Sequence, residues 1–169
     1  MKTLHMIFSG MLALLISACG YHLGGIKPGY MKNMNTFCVE MFENNTVQPN
    51  VGMLMTTAMA NSLQSDGTYR MAPRNEADFI LKGTVTHIER ESLRTNTDDT
   101  YVSSEIGLDV HVDYKIVNRK TGKVMHDGTS HATGSYFNQG VNTVSAMDTA
   151  LSYATRLVAD NITLNLTAP

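Results

Sequence analysis

Ser104 to Asn118 alternates without a break. Ile106, Leu108, Val110, Val112, Tyr114 and Ile116 fall on one side, and Glu105, Asp109, His111, Asp113 and Lys115 on the other. Period-two alternation marks a strand with one face on a core and one in water. The turn Arg119-Lys120-Thr121-Gly122 then returns the chain as a weaker strand, Lys123 to Phe137, with Val124, Ala132 and Tyr136 on one face. Earlier, Thr36 to Phe42 alternates, Phe37, Val39 and Met41 against Cys38, Glu40 and Phe42. Asp78 to Glu89 predicts another strand, with Phe79, Leu81, Val85 and His87 on one face and Ile80, Thr84, Thr86 and Ile88 on the other. Gly83 in its middle marks a bulge or a close approach. Tyr69-Arg70-Met71 reads as a short extended piece, Glu43 to Thr46 as a polar turn and Arg94 to Asp99 as a polar loop.

Two stretches switch to the helical period. Val51, Leu54, Met55, Ala58, Met59 and Leu63 form one stripe, with Pro49 suited to its first turn and Asp66-Gly67 to its end. Met147, Ala150, Leu151, Ala154, Leu157, Val158 and Ile162 form the other, with Ser145 and Asp148 spaced as a capping box. The order is strand, helix, strand, strand, strand, helix. The strand–helix–strand unit predicts one parallel pair, and the hairpin adds antiparallel strands. The expected fold class is α+β: a two-layer sandwich, two helices packed on one face of a mixed four-stranded sheet.

The N-terminus follows another pattern. Lys2 is the last of the Lys, Arg, Asp and Glu residues before Lys27, and Met6 to Ala18 is almost entirely apolar or small. That run is shorter than the roughly 20 residues needed to span a bilayer core of about 30 Å. It reads as a secretory signal peptide. Its exit, Ile16-Ser17-Ala18-Cys19, resembles the bacterial lipobox, whose Cys thiol is alkylated with diacylglycerol before cleavage. A buried Cys in an N-terminal helix would not explain the missing charges. The expected division is 1–18 lipoprotein signal peptide, 19–34 lipid-anchored tether, and 35–169 a single α+β domain. Gly24, Gly25, Pro28 and Gly29 suit a tether. By resemblance to well-studied bacterial lipoproteins, Gly20 after the Cys, where Asp would favour the inner membrane, implies the outer membrane facing the periplasm.

Composition narrows the remaining chemistry. Hydrophobic residues are 43%, charged residues 17%, and the net charge of −2 shows no basic excess for nucleic acid. With Cys19 thioether-linked, Cys38 is a lone thiol, expected as a small buried hydrophobe. His87, His111, His126 and His131 lack helical His-x-x-x-His or Cys-partner spacing, so they read as surface or sheet-face residues rather than a metal cluster. Asp109, His111 and Asp113 read as a solvated face. No phosphate loop or nucleophile elbow appears. The expectation is a protein that is not an enzyme and carries no cofactor or metal beyond the covalent lipid on Cys19.

Several stretches together resemble the LPS-assembly lipoprotein LptE family. They are Cys19-Gly20-Tyr21-His22-Leu23, Val39 to Thr46 followed by Pro49, Glu76 to Val85, and the long hairpin with its final helix. The resemblance implies a non-enzymatic outer-membrane lipoprotein that plugs the LptD β-barrel and assists lipopolysaccharide delivery. For a plug the candidate lipopolysaccharide contacts are the polar tips: Arg94 to Thr100, and above all Arg119, Lys120 and Lys123, since Arg and Lys bind phosphate through charge-assisted hydrogen bonds. LpoB-like activators of peptidoglycan synthases share the Ala77-Asp78…Leu81…Gly83 pattern, although they usually carry a longer linker after the Cys; such an activator, or another envelope scaffold, stands as the alternative.

Overall fold

A computed structural model describes residues 25–94, 104–138 and 143–168. Cys19 and residues 95–100 of the predicted loop lie outside them. A short 3-10 turn, Gly29–Met31, precedes β1 (Thr36–Val39), β2 (Glu43–Asn44), α1 (Val51–Asp66), β3 (Arg70–Met71), β4 (Phe79–Arg94), β5 (Ser104–Asn118), β6 (Val124–Asn138) and α2 (Thr143–Thr167). The strands form one sheet in the order β3-β1-β4-β5-β6, with β2 beside β4. β1 runs parallel to β3 and β4, as the strand–helix–strand order predicts, and β4, β5 and β6 are antiparallel. The described sheet has six strands, not the four expected. The extra two, β2 and β3, span two residues each, too short to carry an alternation.

α1 packs over β1, β3 and β4, and α2 over β5 and β6. Their apolar stripes meet the inner face of the sheet, where Phe37, Phe79, Leu81, Val85, Leu108, Val110, Ile116, Met55, Met59, Leu63, Val158 and Ile162 are all fully buried. β5 keeps the predicted faces along its whole length. The other strands depart from theirs where the ladder is interrupted. β1 ends at Val39, so Met41 turns outward and Phe42 inward, against the expected alternation. The Phe42 ring lies over Gly83, where a Cβ would collide with it. Gly83 is therefore a close approach, and the bulge falls elsewhere: Val85 pairs with Val112 and His87 with His111, leaving Thr86 as an extra residue. His87 thereby leaves the predicted core face, and Ile88 packs against the core. An irregularity opposite Ile116 and Val117 similarly puts Val124 at the surface.

The helix ends need two further corrections. Ser145 does not cap α2, which begins at Thr143; its carbonyl accepts a hydrogen bond from Thr149 Oγ1 at 2.9 Å within the helix. Pro49 is not in the first turn of α1. The boundary residue is Asn50, at φ 63°, and its side chain makes no capping bond. Gly67, at φ 78°, ends α1 as the sequence predicts, because left-handed backbone favours glycine.

From Gly25 to Met34 the stretch read as tether lies against the body. Met31 is fully buried, and Ile26 N–H donates to Thr167 O at 2.8 Å. Lys27 Nζ donates to Met34 O and Asn35 Oδ1, both at 2.7 Å, and lies 5.3 Å from the centre of the Tyr69 ring. Tyr69 itself is buried, which pushes its phenol up to about 12, and its hydroxyl donates to Leu166 O at 3.0 Å. Cys38 is only half-buried, short of the fully buried site expected, and burial pushes its thiol up.

Asp78 fastens β1 to β4. Its Oδ2 accepts the backbone N–H of Asn35 at 2.9 Å and of Thr36 at 3.1 Å. The Asn35 bond, with that from Thr36, holds the carboxyl below its ordinary range despite partial burial. A lowered folded-state pKa gives stability above the unfolded value that is lost as pH falls through the folded one. Asp78→Ala should cost about 1–2 kcal/mol at pH 7 in denaturant unfolding, since hydrogen bonds to a charged group are worth about 1.5–3 kcal/mol and this one is partly exposed. The difference from wild type should shrink below the ordinary carboxylate range.

Candidate functional site

The face of the sheet opposite the helices is polar, and register decides what meets on it. β4, β5 and β6 place Glu89, Asp109 and Thr133 in one row and His87, His111 and His131 in the next. The imidazoles of that row stack. The centres of His87 and His111 are 4.0 Å apart at 14°, and those of His111 and His131 are 5.0 Å apart at 6°. The bulge at Thr86 makes the row possible, because unbroken alternation would put His87 under the sheet. Thr86 Oγ1 holds the bulge by donating to His111 O at 3.2 Å.

Asp109 sits between two of these rings. Its Oδ2 is 3.0 Å from His111 Nε2 and 3.2 Å from His131 Nδ1, and its Oδ1 accepts from Thr133 Oγ1 at 3.4 Å. His111 Nε2 is buried and makes no hydrogen bond of acceptable angle, despite its short distance to the carboxylate. On the other side of the row, His87 Nε2 is 3.5 Å from Glu89 Oε1, and both side chains are more than half exposed. Further along the face Glu40 meets Arg74 Nε at 2.6 Å and Lys82 Nζ at 3.0 Å. Burial raises its carboxyl, but these two cations outweigh that and hold it below its ordinary value.

The expected basic tip divides. Lys120 and Lys123 are exposed on one turn, which closes through Gly122 at φ 68° and its N–H bond to Asn118 O at 2.8 Å. Arg119 instead reaches back to the body: its Nε donates to Ala77 O at 2.6 Å and its N–H to Asp78 O at 3.1 Å. Of the four histidines considered from sequence, three come together. His126 lies apart, stacked on Tyr30 with ring centres 5.3 Å apart. The missed signal is the three-residue step between Val85 and Ile88, which strict alternation does not allow.

A concavity of about 740 Å³ runs between α1 and α2 on their outer side. Met53, Ala58, Asn61, Thr155, Arg156 and Leu164 line it, and Ser62 Oγ bridges the helices to Asp160 Oδ1 at 2.7 Å.

The sequence matches no protein-family model and no curated protein. Among solved structures, the chain is similar to the PelC dodecamer of Paraburkholderia phytofirmans, at 19% identity and a TM-score of 0.50, over 86% of this chain and 96% of that one. It is similar to a DUF330 protein of Xanthomonas campestris, at 10% identity and a TM-score of 0.53, over 87% and 88%. A minor lipoprotein of Acinetobacter baumannii is a weaker likeness, at 22% identity and a TM-score of 0.44, over 79% and 90%. At these identities the first two likenesses establish the fold alone. The resemblance to LptE rests on sequence motifs.

Proposed function

We propose that this chain is an envelope lipoprotein of the LptE kind. It is held on the outer membrane by a lipid on Cys19, faces the periplasm, and assists lipopolysaccharide assembly as plug and partner of the LptD β-barrel. It works by binding, not by catalysis. The observation that carries the reading is Ile16-Ser17-Ala18-Cys19 at the end of a short apolar run.

The position of the basic tip supports it. The described chain begins at Gly25, and Ile26 bonds the last turn of α2 through Thr167. Lys27 bonds Asn35, Asn35 bonds Asp78, and Asp78 bonds Arg119 at the start of the tip. Tether and tip therefore share one end of the domain. Six residues of extended chain from Cys19 to Gly25 span at most about 20 Å. On this reading a lipid on Cys19 would keep Lys120 and Lys123 within reach of a bilayer surface, where lipid phosphates are plentiful.

Affinity purification from detergent-solubilised outer membrane tests the reading. Recovery of an outer-membrane barrel is the expected result. Recovery of a peptidoglycan synthase in its place would overturn the barrel assignment in favour of the LpoB-like alternative. The likeness to the PelC dodecamer suggests a second reading, a homo-oligomer, which would appear as a multiple of the chain mass in detergent without any barrel.

The tip has its own expected outcome. Lys120→Ser with Lys123→Ser should weaken lipopolysaccharide binding several-fold at low salt and leave the melting temperature within about 2 °C. The loss should narrow at 1 M salt, where screening acts beyond about 3 Å. Arg119 is left out because replacing it would also strand the Ala77 carbonyl.

A further inference from the structure

We propose that Asp109, His111 and His131 form a binding site for one first-row divalent metal ion of the zinc class. The site is independent of the barrel assignment. Three donor atoms already converge: Asp109 Oδ2 lies 3.0 Å from His111 Nε2 and 3.2 Å from His131 Nδ1. Zinc takes nitrogen and carboxylate ligands tetrahedrally at about 2.0–2.2 Å, which sets donor atoms roughly 3.3–3.5 Å apart. The two Asp109 separations are close to that spacing, and all three donor atoms lie within 4.8 Å of one another, so turning the imidazoles about their side-chain bonds would complete the set without rearrangement of the sheet. The ligands also sit on β5 and β6, so the ladder fixes their separation. A site on paired strands is more precisely held than one on loops.

The surroundings favour an ion over a plain hydrogen bond. His111 Nε2 is buried, faces a carboxylate and makes no well-angled bond to it. A cation between them would satisfy both the nitrogen lone pair and the carboxylate charge. Thr133 Oγ1 donates to Asp109 Oδ1, which leaves Oδ2 for the metal. Such outer partners orient metal ligands. Three protein ligands leave a fourth position for water, on the exposed side of the sheet.

A competing set, His87, Glu89 and His111, shares the central histidine. It is the weaker one. Its His87–Glu89 separation is 3.5 Å, and both of those side chains are more than half exposed, at 53% and 56%, whereas the proposed set has one such ligand, His131 at 66%, beside His111 at 28% and Asp109 at 19%. Ordering two exposed ligands costs more conformational entropy than ordering one. His87 then serves as a stacking wall for His111.

The test titrates Zn²⁺ into the full chain, purified in detergent without a histidine tag, by calorimetry, with Co²⁺ absorption as a second readout. One equivalent should bind with micromolar or tighter affinity, and Co²⁺ should give tetrahedral visible bands. His131→Gln and Asp109→Asn should each weaken binding at least tenfold, while Glu89→Gln and His126→Gln leave it within twofold. Both ligand changes are at partly exposed positions, and circular dichroism checks that the variants fold. Absence of binding at 1 mM Zn²⁺, or affinity unchanged in His131→Gln, would overturn the site. Loss in Glu89→Gln with retention in Asp109→Asn would overturn it in favour of the neighbouring set.

Discussion

Val110→Asp should abolish or nearly abolish the folded state, seen as loss of the cooperative thermal transition. Val110 is fully buried on the central antiparallel strand, paired with Ile88 on β4 and Ala132 on β6. A carboxylate there would have no partner, and an unpaired polar group buried in this way costs several kcal/mol even after it takes up a proton. Total stability for a domain of this size is about 5–15 kcal/mol. Asp113→Asn, three residues on and exposed, should stay within about 0.5 kcal/mol of wild type. If the two variants melted alike, the assignment of inner and outer face on β5 would be wrong. His111→Asp would not serve as a mild control, although alternation alone would suggest one. It would set a second carboxylate beside Asp109, whose Oδ2 is already 3.0 Å from the ring it replaces.

That contrast shows what the sequence could and could not specify. β5 is legible because a long strand between two others must alternate, so Ile106 to Ile116 reads directly as a core face. α1 and α2 are legible because both bury a stripe at helical spacing. The failures lie where one residue is added or one ladder stops. Thr86 is an extra residue on β4, and everything after it changes face; His87 moves from the core to the polar side for that reason alone. Phe42 and Met41 exchange faces because β1 stops at Val39, and the space over Gly83 takes the Phe42 ring. The histidine row needs one more level of information. His111 and His131 are twenty residues apart, and only the β5–β6 register makes them neighbours. Spacing along the chain was the wrong measure for it. The tip was legible as a turn, but the role of Arg119 depends on the Ala77 carbonyl, more than forty residues away in sequence.

Cys19→Ala should remove the lipid label and, with it, the protein from the outer-membrane fraction. The change deletes the sulfur nucleophile that the proposed lipid attachment requires and leaves the apolar run Met6 to Ala18 intact. In cells given labelled fatty acid, wild type should carry label in the outer-membrane fraction. The variant should carry none and should appear as an uncleaved or soluble product. For product from which the apolar run has been removed the effect is large because the remaining attraction is small: two exposed lysines near an anionic surface contribute about 1 kcal/mol each. A lipid anchor contributes about 0.8 kcal/mol for every buried CH₂, so two or more acyl chains exceed the lysines many times over. The folded body should be unaffected, because the described contacts begin at Gly25 and involve Ile26, Lys27 and Met31. The variant's soluble product should therefore melt within about 2 °C of wild type in detergent. Label persisting on Cys19→Ala would refute the lipobox reading, and an unlabelled variant that also failed to fold would show that the N-terminal segment belongs to the domain.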